Sequence, residues 1–132
     1  MEMENAMSGK PSPATSADPG TVVTKATLRA ADMLGITARL LSSIIGVSEA
    51  TVSRMRKQEF ALEAGTKPFE LAVLFVRLFR SLDAIVGGEE PVAKAWLRSE
   101  NTALGAVPLD KIVTISGLVD VIAYLDARRA LV

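Results

Sequence analysis

A chain of 132 residues with 49% hydrophobic side chains can bury one compact core, or two small helical subdomains that share one. It contains no Cys and no His, which removes disulfides, thiolate nucleophiles, zinc-thiolate sites and the commonest general base, and leaves too thin a kit to suggest an enzyme, a metal site or a cofactor. Fifteen basic residues balance fifteen acidic ones, so no overall positive field draws the protein to nucleic acid or to an anionic membrane, and any DNA contact has to come from a local patch.

Residues 1–20 are rich in Ser, Pro, Thr, Ala and Gly, lack aromatics and show no helical period. They read as a disordered arm, serving either as a tether or merely as a loosely used start region around Met1, Met3 or Met7. The arm has no apolar stretch of the signal-peptide kind, and the longest apolar run, Leu71 to Val76, is far too short to cross a bilayer. A cytoplasmic protein without a membrane partner is expected.

Helical patterning begins near Thr21, with Leu28, Ala31 and Leu34 on one face and Gly35 placed as a C-cap. Thr37 can cap a second helix through Arg39, Leu40, Leu41, Ile44 and Ile45, which Gly46 ends. Ser48 can cap a third that runs to about Gln58, with Glu49 in its first turn and Arg56 and Lys57 in its last, the charge order that the helix dipole favours. Pro68 opens a long helix from Phe69 to Val86, which Gly87 and Gly88 terminate. Its apolar surface, including Phe69, Leu74, Phe75, Leu78, Phe79 and Leu82, is wider than one core-facing stripe requires, so burial on most sides, by the chain's own core and by a second copy, is expected.

Pro91 suits the first turn of a short helix that carries Trp96 and Leu97, with Trp96 as a core aromatic. A turn-rich connection from Asn101 to Val107 leads to a Pro108-started helix through Leu109, Ile112 and Val113. Ser116 can cap a last helix in which Leu118, Val121, Ile122 and Leu125 recur at helical spacing. No strand signal of comparable strength and no repeat of 20 to 50 residues appears. The fold class is therefore all-α, divided into a helix-turn-helix region over residues 21–67 and a dimerisation and binding region over 68–132.

The stretch from Ala38 to Lys57, ARLLSSIIGVSEATVSRMRK, has the spacing of two helices crossing at a tight turn. Small Ser42 allows close approach, Gly46 takes a position that needs positive φ, and Val47, Val52 and Met55 anchor the second helix. An ordinary helical hairpin has the same spacing. With those anchors turned inward, Ser48, Glu49, Ala50, Thr51, Ser53 and Arg54 are left on the side that would enter a major groove. Arg54 is the natural donor to a guanine edge, and Arg39, Arg56 and Lys57 suit phosphates. The basic cluster on its own is equally explained as a solvated helix end. A neutral protein with few phosphate contacts needs to dimerise for tight recognition of palindromic operator DNA.

Downstream, Trp96-Leu97, Asn101-Thr102-Ala103-Leu104-Gly105, Pro108-Leu109-Asp110-Lys111-Ile112, Thr114-Ile115-Ser116-Gly117-Leu118 and Val121-Ile122-Ala123-Tyr124-Leu125 together resemble the Xre/MbcA/ParS antitoxins of RES–Xre toxin–antitoxin systems. The likeness runs over roughly residues 21–130, and N-x-x-L-G-x-x-P-L-D is its most specific string. It implies a cognate RES-domain toxin, ADP-ribosyltransferase-like and NAD-consuming or ADP-ribosylating, whose active site is covered by the antitoxin's C-terminal end. It also implies autorepression through the helix-turn-helix. The toxin-facing residues would be Asp110, Tyr124, Arg128, Arg129, Leu131 and Val132, with Arg128 and Arg129 suited to anionic subsites and the Val132 carboxylate to a toxin arginine. Asp110 could instead cap its own helix, and the two arginines could be a frayed basic helix end.

The alternative is a free-standing Xre-type repressor without a toxin partner. A third reading, an enzyme, would draw on carboxylates, Ser and Lys; Glu89 and Glu90, the only adjacent carboxylates of the expected folded region, more simply sit at a helix N-terminus.

Overall fold

The computed structural model describes residues 18–131. Most of the expected arm, residues 1–17, and the C-terminal Val132 lie outside the described residues. Seven helices run in chain order among them: α1 (Pro19–Leu34), α2 (Ala38–Ile45), α3 (Glu49–Arg56), α4 (Lys67–Ile85), α5 (Glu90–Arg98), α6 (Pro108–Lys111) and α7 (Ile115–Arg129). The only β pairing among them is an isolated bridge between Asn101 and Ala106.

Local chemistry explains where the helices begin. Asp18, Thr37, Ser48, Thr66 and Thr114 each turn a side-chain oxygen onto a backbone N–H of the first turn of α1, α2, α3, α4 and α7 respectively, satisfying a donor that the helix leaves orphaned. Three starts differ from the sequence reading. α1 begins at Pro19 and not near Thr21, because Asp18 caps it and Pro19 suits its first turn, so residues 18–20 belong to the helix and not to the expected arm. α4 begins at Lys67 with Pro68 inside its first turn, and α7 is capped by Thr114 rather than Ser116, whose side chain is exposed in the first turn. The reason lies in Gly117: its amide bonds Thr114 Oγ1 at 3.0 Å, and a Cβ there would stand 1.9 Å from the Lys111 carbonyl oxygen. α7 therefore packs its first turn directly onto the end of α6, and the helix must start earlier.

α4 is the central element. It packs against α1, α2, α5 and α7, turning Leu71, Ala72, Phe75, Leu78, Ser81 and Leu82 inward. Phe75, Leu78 and Leu82 are fully buried together with Leu34, Leu41, Ile45, Val52, Leu97, Leu118 and Leu125, so residues from both halves of the chain share one core. Full burial of one such side chain contributes about 1.5–3 kcal/mol. Phe69, Leu74 and Phe79 lie at the margin of this core rather than inside it. Trp96 also departs from the expected core placement and is half-buried. Burial of α4 on most sides holds only in part, because Glu70, Val73, Arg77, Arg80 and Ala84 form an exposed stripe along it.

Candidate functional site

Two surfaces carry the polar side chains that the sequence singled out. The first is built on α2 and α3. Gly46 ends α2 with φ +75, a left-handed conformation that a glycine adopts without strain. Ser42, nearly buried, donates to the Arg39 carbonyl at 2.6 Å, which keeps a polar side chain satisfied where the two helices cross. Val52 and Met55 seat α3 in the core, while Ser48, Glu49, Ala50, Ser53 and Arg54 are exposed and Thr51 is half-exposed.

On that face Ser48, Thr51 and Arg54 form a chain. Ser48 Oγ accepts from the Thr51 amide at 3.0 Å and lies 3.0 Å from Thr51 Oγ1, and Arg54 donates to Thr51 Oγ1 at 3.3 Å. The Arg54 guanidinium also lies over the Phe60 ring, 5.7 Å from its centroid. Phe60 was not singled out in the sequence, because it falls in the polar stretch after α3, where nothing marks it as the arginine's platform. Arg39 and Lys57 are exposed at the α2 start and the α3 end. Arg56 is placed differently: it forms a fork with Asp32 of α1, at 2.9 and 3.4 Å. Its charge is engaged within the protein rather than held open on the α3 face.

The second surface joins α5 and α7. Trp96 and Tyr124 stack with ring centroids 6.2 Å apart and planes 19° apart. Arg128 donates to the Tyr124 hydroxyl at 3.1 Å and its guanidinium lies 5.8 Å from the ring centroid. The three residues, with Leu82, Ile85 and Val86, line a small cleft of about 120 Å³. Reading Trp96 as a core residue missed this stack, since pairing between separate helices leaves no periodic mark. Ala127, Arg128, Arg129 and Ala130 are exposed, and Leu131 is 82% exposed. Asp110, exposed in the first turn of α6, does not cap it, for no side chain bonds the first-turn amides of that helix.

Between the surfaces, α7 is fastened to α4 through Asp126. Its carboxylate accepts from Ser81 Oγ at 2.8 Å and pairs with Arg77, while Arg129 donates to Ser81 Oγ at 3.4 Å. The Ser81 hydroxyl first, then the Arg77 guanidinium and the Arg129 charge, hold the Asp126 carboxyl below its ordinary value of 3.8, against a contrary push from burial.

Glu89 and Glu90, the adjacent carboxylates, sit at the start of α5, where Glu90 pairs with Lys94 of the next turn at 3.5 Å. No group of three or more acidic residues suited to a metal ion occurs among the described residues. No helix among them is long and apolar enough to cross a membrane.

Family models account for most of this architecture. Residues 13–77 match the antitoxin Xre-like helix-turn-helix domain, and residues 81–130 match the antitoxin Xre/MbcA/ParS C-terminal toxin-binding domain. The chain belongs to the Xre/MbcA/ParS antitoxin family. No curated protein matches it. In this antitoxin the two matched regions meet within α4: Arg77 lies in the helix-turn-helix match, whereas its partner Asp126 lies in the toxin-binding match. The family assignment resolves the choice left open by the spacing of α2 and α3 in favour of a helix-turn-helix, and makes residues 81–130, which hold α5 to α7, a toxin-binding domain.

Proposed function

We propose that this antitoxin silences a RES-domain toxin, NAD-consuming or ADP-ribosylating, by laying its C-terminal end over the toxin's active site. As a homodimer it represses its own promoter through α3. On this reading the chain acts by binding and not by catalysis. The observation that carries it is the end of α7. That end projects from a helix anchored through Asp126, yet leaves Arg128, Arg129 and Leu131 exposed.

An NAD-binding pocket must accommodate a pyrophosphate, and a guanidinium matches such an anion-binding subsite in charge and geometry. Arg128 is steadied by Tyr124, so part of its conformational freedom is lost before the partner arrives, which lowers the ordering cost of association. Leu131 adds an apolar contact that its own fold does not use. Tyr124 and Trp96 form the base of the docking surface, and Asp110, exposed on α6, offers it a further polar contact.

On the other surface, the exposed side chains of α3 suit a major groove, with Arg54 directed to a base edge and Arg39 and Lys57 to phosphates. The experiment for the leading half of this reading is co-expression with the toxin. The full chain rescues growth, and a chain ending at Asp126 does not, although it accumulates in folded form. Rescue by the shortened chain would refute occlusion by the C-terminal end.

A further inference from the structure

One side of the molecule, along α1 and α4, combines exposed valines with a row of charges. α4 shows solvent Glu70, Val73, Arg77, Arg80 and Ala84 at alternating spacings of three and four residues, one continuous stripe along the helix. Beside it, Val22, Val23 and Ala26 of α1 and Val73 and Val76 of α4, with Arg77, Arg80 and Arg129, line an open trough of about 450 Å³. Val22 is 51% and Val73 42% exposed.

We propose that this face is the seat of a second copy of the chain, with α1 and α4 of each protomer forming a four-helix interface about a two-fold axis. The inference rests on the homodimer reading above and adds where the copies meet and in which direction they run.

The charge order along α4 selects this occupant. Glu70 lies at one end of the stripe and Arg77 and Arg80 toward the other, with Glu70 and Arg80 about 15 Å apart along the helix axis at 1.5 Å per residue. An antiparallel α4 pair brings each Glu70 against the partner's Arg80, so both ends of the interface are complementary. A parallel pair would set like charges side by side and is disfavoured. In the antiparallel register Val73 lies opposite the partner's Arg77, and the two Val76 side chains flank the axis. Arg77 is already paired with Asp126, so it can lay its methylene stem across a valine without presenting an unpaired charge. Among the described residues neither Glu70 nor Arg80 forms a salt bridge within its own chain. A surface complementary to itself only after reversal is what a two-fold contact requires.

The test is charge reversal in the full chain, read by sedimentation equilibrium over a wide range of protein concentration. Circular dichroism confirms that each variant is folded. Glu70→Arg and Arg80→Glu singly should each weaken the dimer at least about tenfold, as juxtaposed like charges do, and the double variant Glu70→Arg with Arg80→Glu should recover most of the loss. Single reversals that leave the dimer intact would overturn this face while the homodimer reading stands. Single reversals that dissociate it without rescue by the double variant would overturn the antiparallel register. A wild-type chain that stays monomeric at every concentration would overturn the homodimer reading itself.

Discussion

The Arg98 guanidinium of α5 donates to the Gly35 carbonyl at 2.8 Å, and the same nitrogen reaches the Leu34 carbonyl at 3.1 Å. Arg98 lies in the toxin-binding domain and Gly35 in the helix-turn-helix domain, so one side chain caps the C-terminus of α1 and joins the two domains. A cation at that helix end also meets the negative pole of the helix dipole. Arg98→Ala should cost about 1–2 kcal/mol in urea-induced unfolding. Arg98→Lys should recover only part of this, since the other guanidinium nitrogen holds the Lys94 carbonyl at 2.9 Å, and an ammonium lacks the planar fork that serves α1 and α5 at once.

Asp126 makes a second fastening between α4 and α7, with a pH signature. Its carboxyl is depressed in the folded protein, so it contributes stability above its unfolded value of about 3.9, and that contribution is lost as pH falls through the lower folded value. Asp126→Asn should therefore melt lower than wild type at neutral pH, and the gap between the two should close on acidification below about pH 4. A gap that stays constant in thermal melts from pH 7 to pH 2.5 would mean that the carboxylate's charge contributes nothing.

The start of α7 separates three neighbouring residues. Thr114→Ala removes the cap and should cost about 1 kcal/mol, whereas Ser116→Ala, at an exposed position, should stay within about 0.5 kcal/mol of wild type. Gly117→Ala should be the worst of the three: the new Cβ would lie 1.9 Å from a backbone oxygen that no rotamer change can move, and overpacking of this kind costs about 1–3 kcal/mol or more. Chemical denaturation of the three variants gives the ranking directly.

These three residues also show what the sequence made legible. Caps at Thr37 and Ser48, the glycine stops at Gly35 and Gly46 and the helical spacing from Leu118 to Leu125 could be read because each is a local signal, complete within one turn of chain. Ser116 was preferred to Thr114 because the rule for caps does not see Lys111 packing against Gly117. The exposed residues of α3 were legible for the same reason that its anchors were, since helical period divides the two. Trp96 on Tyr124, Arg56 on Asp32 and Ser81 on Asp126 join residues 28, 24 and 45 positions apart, and no short-range pattern announces such pairs. The one available hint was Ser81, a polar residue between Leu78 and Leu82 on the core-facing side of α4, which the structure buries completely.

On α3, Arg54→Ala should weaken binding to the antitoxin's own promoter by about 1–3 kcal/mol and relax preference at one base position. Lys57→Ala should instead weaken all sequences alike and reduce the salt slope by about one unit. Fluorescence anisotropy across a salt series distinguishes the two. Equal affinity of the Arg54 variant would place the DNA contact elsewhere.

The central claim is that residues beyond Asp126 close the toxin's active site. It is tested most directly by titrating purified RES-domain toxin with the antitoxin while following NAD consumption, in parallel with calorimetry of the same mixtures. The full chain should suppress turnover at stoichiometric ratio, and the chain ending at Asp126 should still bind through the surface around Trp96 and Tyr124 yet leave NAD consumption running. Equal suppression by both chains would contradict the account.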